Sequence, residues 1–222
     1  MDLSRVSFFK GLDPQDLKKV ESKSSERIYP KGTTIFVEGQ DTDGIYIVTS
    51  GLIKIVKLSR DGREKTLAIL GEGEILGEMA LFEQNSRSAA AETLDQTTVA
   101  VISKVDFEML IDQIPHLGRK VISILGDRLR EADQQIKDLL FLNARSRVIC
   151  NLVQLAEKHA KLEKGRMKVP LKLTHAELAN LIGVSRETAT KVITDLQDSG
   201  LITIERKQIV VHDLEKLQLE VI

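Results

Sequence analysis

Arg186, Glu187, Thr190 and Lys191 crowd into the run Ser185-Arg186-Glu187-Thr188-Ala189-Thr190-Lys191. Their chemistry is that of reading base-pair edges. Arginine pairs bidentately with guanine O6 and N7, and glutamate accepts from cytosine N4. A glutamate beside phosphates is otherwise unfavourable, so it points to base contact rather than general electrostatic grip. A second set, Gly77, Glu78, Met79, Ala80, Arg87 and Ser88, has the chemistry of holding a small anion. Arg87 can bind phosphate through two charge-assisted bonds, Ser88 adds a hydroxyl, and Glu78 can accept from ribose hydroxyls. The residues after Gly77 predict a short helix whose free N–H groups favour an anion. Together these groups suit a cyclic nucleotide. The alternative is a structural Glu78–Arg87 salt bridge in a barrel that binds nothing.

The base-reading residues need a rigid mount, and residues 173–202 predict a helix-turn-helix. Thr174 and Glu177 form a capping box before the first helix. Leu178, Ala179, Leu181 and Ile182 give that helix an apolar face, and Gly183 fits a turn that requires positive φ. Ser185 caps a second helix whose inward face is Ala189, Val192, Ile193 and Leu196, which leaves Arg186, Glu187, Thr190 and Lys191 outward. The alternative is an ordinary exposed helix. Ile202–Ile204 and Ile209–Val211 then alternate as two short strands, a wing with Arg206 and Lys207 at its tip, placed for phosphate contact.

The anion-holding set lies in a different setting. From Ile28 to Ile102 short β-type runs alternate with glycine-marked turns, Asp61-Gly62 among them, which predicts a rolled antiparallel barrel. Residues 4–24 read as short helices, and helix returns at 104–111 before a long helix from His116 to Leu142. Its apolar positions Ile122, Leu125, Leu129, Ala132, Ile136 and Leu139 step alternately by four and three, as a parallel dimer seam does. The same stripe could instead lie on its own barrel. Arg128, Arg130, Glu131, Gln134, Lys137 and Asp138 are expected on the exposed opposite face. The fold class is therefore α+β, divided into an effector-binding β-roll over 1–115, a dimerisation helix over 116–142 and a winged helix-turn-helix over 143–222.

Composition agrees. The net charge of −1 conceals an asymmetry: residues 1–142 hold 19 Lys+Arg against 23 Asp+Glu, a balance of −4, while 143–222 hold 13 against 10, or +3, the sign a phosphate-facing surface needs. The lone Cys150 excludes an intrachain disulfide and cannot hold an iron–sulfur cluster. It is expected as a buried structural thiol. All four histidines (His116, His159, His175, His212) fall outside the β region, which argues against haem, and their spacing does not suit a metal. His175 is expected at the surface. The beginning MDLSRVSFFKGL lacks a signal-peptide apolar block, so a cytoplasmic location is expected. Without a nucleophile–base or metal constellation, an enzyme is not expected.

With both sets in hand, the chain resembles end to end the bacterial family of the cyclic-AMP receptor protein and the fumarate-nitrate regulator (CRP/FNR). The matching pieces are Gly77-Glu78 with Ala80-Leu81, Arg87-Ser88-Ala89, Leu140-Phe141-Leu142 and Gly183-Val184-Ser185-Arg186-Glu187-Thr188. The resemblance implies a homodimer that binds a palindromic operator with TGTGA-like half-sites and is controlled by a cyclic nucleotide, cyclic AMP or cyclic GMP. RNA polymerase is a candidate partner. The resemblance gives Gly77, Glu78, Arg87 and Ser88 phosphate and ribose contacts, and Arg186, Glu187 and Lys191 the base-reading and adjacent positions. Lys191 stands where an arginine is usual and delivers only a point charge. A second departure is larger: the Thr-Ser pair that touches adenine in the cyclic-AMP-binding members is replaced by Ala132 and Asp133. An ionised Asp133 only accepts, so it suits guanine N1–H and N2–H2 better. A ligand-independent DNA-binding regulator, its β-roll only a scaffold, stands as the other function. The basic segment Lys158–Lys172 is expected as a solvated loop, or as a contact for polymerase or DNA backbone.

Overall fold

The computed structural model describes residues 2–79, 86–163, 166–206 and 208–221. Ala80, Leu81 and Lys207, named above, lie outside the described residues. The chain forms two compact units, Met1–Leu129 and Arg130–Ile222.

In the first unit a single 3-10 turn (Ser7–Phe9) precedes α1 (Pro14–Ser22). Asp13 caps α1, accepting from the N–H groups of Gln15 and Asp16, and Pro14 at the first helical position loses no intrahelical bond. Eight strands follow: β1 (Ser24–Tyr29), β2 (Thr34–Phe36), β3 (Gly44–Ser50), β4 (Ile53–Leu58), β5 (Glu64–Leu70), β6 (Ile75–Leu76), β7 (Ala90–Thr93) and β8 (Thr97–Ser103). They make two antiparallel sheets, ordered β1-β8-β3-β6 and β2-β7-β4-β5. This is the expected roll, and Asp61-Gly62 turns β4 into β5 with Gly62 at φ 82°.

The strands β3 and β8 are apolar on both faces because each face meets a different core. Side chains alternate along a strand. Tyr46, Val48, Val99 and Val101 point between the sheets with Phe36, Ile53, Leu70 and Leu76. Ile45, Ile47, Ala100 and Ile102 point the other way, onto Phe8, Phe9, Phe107, Leu110, Leu117 and Val121. That second layer comes from the amino-terminal segment, from α2 (Lys104–Gln113), capped by Ser103, and from the start of α3 (Pro115–Phe141).

Along α3, Ile122, Leu129, Ile136 and Leu139 are exposed, as the dimer reading requires, but Leu125 is partly buried against the core of its own β-roll. The stripe is thus divided, Leu125 lying on its own β-roll and the other large positions facing outward, because a helix next to a barrel turns some heptad positions inward. Two residues expected on the outer face depart from it: Arg128 turns inward to Glu78, and Asp138 is buried.

In the second unit, α3 is followed by α4 (Ala144–His159), capped by Asn143. Residues 158–172 correct the loop expectation. They include a hairpin, β9 (Lys161–Glu163) and β10 (Arg166–Lys172), and β10 pairs with β12 of the wing. The physical reason is period-two alternation: Val169 and Leu171, two positions apart, are buried, and Lys168 and Lys172 flank them. The register shift between Lys168 and Lys172 brackets Pro170, whose nitrogen has no hydrogen to donate. The wing, β11 (Ile202–Glu205) and β12 (Gln208–Val211), is thus half of a four-stranded sheet ordered β11-β12-β10-β9. Between these strands lie α5 (His175–Ile182) and α6 (Arg186–Asp198), and α7 (Leu214–Leu219) follows them. Cys150 on α4 is partly rather than fully buried, and that burial pushes its thiol pKa up. No described helix is long and apolar enough to cross a membrane.

Candidate functional site

Two sites emerge, one in each unit. In the β-roll, Gly77 follows β6 with φ 86°, a left-handed conformation that favours glycine. A Cβ there would overlap Arg87 Nη1, so glycine also makes the room into which Arg87 reaches. Arg87 is 2% exposed. Its Nη2 donates to Asp43 Oδ1 at 2.7 Å and to Gly44 O at 2.9 Å, and Nη1 donates to Gly77 O at 3.2 Å. The guanidinium carbon lies 4.2 Å from the Phe36 ring centroid and 5.3 Å from that of Tyr46, within cation–π range.

Asp43 is held on its other side by the Tyr46 hydroxyl, which donates to Oδ2 at 2.7 Å, and more loosely by Arg27 at 3.8 Å. Partial burial pushes the Asp43 pKa up, but the Tyr46 hydrogen bond and the Arg87 charge outweigh it, and the net shift is downward. Burial, and then the bond to Asp43, push the Tyr46 phenol up.

Glu78 is fully buried, and its partner is Arg128 rather than Arg87. Arg128 Nη1 donates to Glu78 Oε1 and Nη2 to Ile75 O at 2.5 Å, so α3 supplies the cation for this carboxylate. Two side-chain atoms of the cradle, Glu78 Oε2 and Arg87 Nε, are buried with no hydrogen-bond partner among the described residues. Ser88 and Met79 are exposed, the Ser88 hydroxyl 3.6 Å from the Met79 sulfur. The short helix expected after Gly77 lies largely outside the described residues. Asp133 is exposed on the part of α3 that belongs to the second unit.

The helix-turn-helix has the expected local chemistry. Thr174 Oγ1 accepts from Glu177 N at 3.2 Å and Glu177 Oε2 accepts from Thr174 N at 2.6 Å, completing the capping box. Gly183 ends α5 at φ 79°, donating to Ala179 O. Ser185 caps α6, accepting from Thr188 N at 3.1 Å. Ala189, Val192, Ile193 and Leu196 are buried, and Arg186, Glu187 and Lys191 are exposed near the start of α6. Backbone N–H donation first, then the Ser185 hydroxyl, hold the Glu187 carboxyl below the usual range.

Two positions differ from expectation. Thr190 is half-buried rather than outward, its hydroxyl 2.9 Å from His175 Nδ1, and His175 is correspondingly drawn in from the surface. Both sit at the crossing of α5 and α6, where a helix face cannot be wholly free. At the wing, Arg206 is exposed at φ 51°, next to Glu205, which pairs with Arg166 at 3.6 Å. Among the described residues, no group of three or more His, Cys, Asp or Glu could hold a metal ion.

Sequence reasoning missed Asp43, Phe36, Tyr46 and Arg128. The runs Thr34–Val37 and Ile45–Val48 mark Phe36 and Tyr46 as strand residues only, and Arg128 reads as an exposed helix residue. Nothing local marks Asp43 or the pairing of Arg128, since Arg128 lies 50 residues from Glu78 and Asp43 lies 44 from Arg87.

Comparison with known proteins gives these two sites a family. The cyclic nucleotide-binding domain family matches residues 26–114, and the Crp-like helix-turn-helix domain family matches 146–220. A CRP-like cAMP-activated global transcriptional regulator of Mycobacterium tuberculosis is 32% identical over 215 residues, 97% of this chain and 96% of that protein. The cyclic AMP receptor protein of Thermus thermophilus is 35% identical over 196 residues, 88% of each chain. The solved structure of the c-di-GMP responsive global regulator CLP of Xanthomonas campestris is similar at a TM-score of 0.77 and 29% identity, covering 90% of this chain and all (100%) of that one. These matches, over a β-roll and a capped helix-turn-helix, place the chain in the CRP/FNR family of DNA-binding transcription regulators.

Proposed function

We propose that the chain acts as a homodimer whose β-roll, residues 1–115, binds a cyclic nucleotide or similar small anion. Residues 116–142 would form the seam with a second copy, and residues 143–222 would read DNA, in the cytoplasm. The observation that carries the effector reading is the pair of orphaned atoms, Glu78 Oε2 and Arg87 Nε. Leaving each buried and unbonded costs about 1–3 kcal/mol. A ribose hydroxyl and a phosphate oxygen are the complementary groups. Gly77, Met79, Ala80 and Ser88 complete the proposed cradle. Asp133 is the proposed base contact, with guanine preferred over adenine, so cyclic GMP and cyclic AMP are the ligands to compare.

The exposed Ile122, Leu129, Ala132, Ile136 and Leu139 support self-association. Burying each large side chain contributes about 1.5–3 kcal/mol. A dimer presents two copies of Arg186, Glu187 and Lys191 to two TGTGA-like half-sites about one DNA turn apart. Thr174, Ser185, Thr190, Arg206 and Lys207 are proposed to support that contact, and RNA polymerase is the proposed second partner. Binding of the nucleotide would shift the protein toward the DNA-competent arrangement.

The test pairs calorimetry of cyclic AMP and cyclic GMP binding with anisotropy of a palindromic and a scrambled duplex. We expect selective, steeply salt-dependent binding, strengthened at least about fivefold by one nucleotide and reduced to scrambled-sequence levels by Arg186→Ala. Selectivity retained by Arg186→Ala refutes the base-reading assignment. One observation favours the alternative scaffold reading: Arg87 and Glu78 already have intrachain ion partners in Asp43 and Arg128. Selective operator binding indifferent to both nucleotides would select that reading.

A further inference from the structure

Arg87 cannot offer phosphate a two-point contact while Asp43 holds it. A guanidinium has five N–H donors in a planar fork. Its two bidentate edges, Nη1 with Nη2 and Nε with Nη2, share Nη2. Both hydrogens of Nη2 are committed, one to Asp43 Oδ1 at 2.7 Å and one to Gly44 O at 2.9 Å. Of the donors left over, Nε is buried and unbonded. Capture of an anion through either edge therefore begins with the loss of an Nη2 bond.

Of the two acceptors, Asp43 is the one that can be exchanged. Gly44 O belongs to β3, fixed by its ladder with β8. The Asp43 side chain is half exposed, so water can take over its released oxygen, and Tyr46 Oη and Arg27 remain on the other. Asp43 and a phosphate also compete in kind, since each is an anion satisfied by the same cation.

We propose that Asp43 is a built-in competing anion, whose carboxylate occupies Arg87 in the ligand-free protein and must be displaced by the effector phosphate, so that Asp43 sets the affinity of the site. This rests on the nucleotide reading above. It assigns Asp43 an affinity-limiting part, and it makes Tyr46 the residue that keeps the competitor aimed.

Asp43→Asn tests it, because the amide keeps the size and an acceptor for Tyr46 while removing the charge. Calorimetry with cyclic AMP and cyclic GMP is run on the parent, on Asp43→Asn and on Tyr46→Phe, with melting curves to confirm folding. Asp43→Asn is expected to bind the preferred nucleotide about tenfold more tightly, equivalent to about 1.4 kcal/mol. Tyr46→Phe keeps the ring beside Arg87 but frees Asp43, and a smaller gain of about two- to threefold is expected from the loss of one orienting bond. A folded Asp43→Asn that binds no more tightly than a binding parent overturns the proposal and leaves the nucleotide reading intact. A silent parent with a binding Asp43→Asn supports both. Silence from all three proteins toward both nucleotides overturns both.

Discussion

Replacing Gly77 by alanine isolates the geometry on which the cradle depends. At φ 86° an L residue is strained, and the added Cβ would overlap Arg87 Nη1 while lying 3.1 Å from Arg87 Cζ and 3.2 Å from Gly44 O. The backbone strain costs about 1–2 kcal/mol. Arginine ends are often free to swing away, but this one is tied to Asp43 and to two backbone carbonyls and lies over Phe36. Moving it forfeits at least one charge-assisted bond, worth about 1.5–3 kcal/mol. The total is about 3–5 kcal/mol, or roughly a 10 °C fall in Tm for a chain of this size. Gly62→Ala is the control, because Gly62 has nearly the same φ, 82°, with nothing within 4 Å of its Cβ. It should lose only the strain component, a fall of about 3–6 °C. Differential scanning calorimetry of both variants separates the two costs. If Gly77→Ala and Gly62→Ala melt within about 2 °C of each other, the close approach of Arg87 to Gly77 is wrong.

Other outcomes follow from single contacts. Arg128→Met strands the buried Glu78 carboxylate and should cost about 3 kcal/mol. Adding Glu78→Gln should recover much of that loss in urea titrations, and a coupling below about 0.5 kcal/mol would deny the pairing. Asp43 titrates below its ordinary 3.8, so its ionised form favours the folded state above that pH, and the contribution is lost as pH falls through the folded value. The difference in urea midpoint between parent and Asp43→Asn should therefore be flat from about pH 5 to 7 and shrink in acid; a difference that grows in acid contradicts the assignment. Thr174→Ala removes the acceptor for Glu177 N–H. It should cost about 1 kcal/mol, read as faster hydrogen exchange at the first amides of α5, and unchanged exchange there would mean the cap contributes nothing.

Much of this architecture was legible because its signals are local. A capping box spans Thr174 to Glu177, a left-handed turn needs Gly183, and Asp61-Gly62 closes its hairpin between neighbouring strands. The inward faces of α5 and α6 followed from helical periodicity. What escaped was set by distance along the chain. Nothing near Arg87 announces Asp43, and nothing near Glu78 announces Arg128, because those pairs exist only once the roll closes and α3 lies beside it. The hairpin at 161–172 is legible in the spacing of Val169 and Leu171 between Lys168 and Lys172, yet its many basic residues suggest a solvated loop. Leu125 shows the limit of heptad counting: spacing identifies a stripe but not which surface it meets.

Strand β3 has two employers. Through Tyr46 it holds the anion that restrains Arg87, and through Ile45 and Ile47, the residues on either side, it supports the helices at its back. Interiors this dense have little slack. A rearrangement on the Tyr46 side therefore reaches the rear wall within the width of one ribbon of chain, with no loop or hinge required to carry the message.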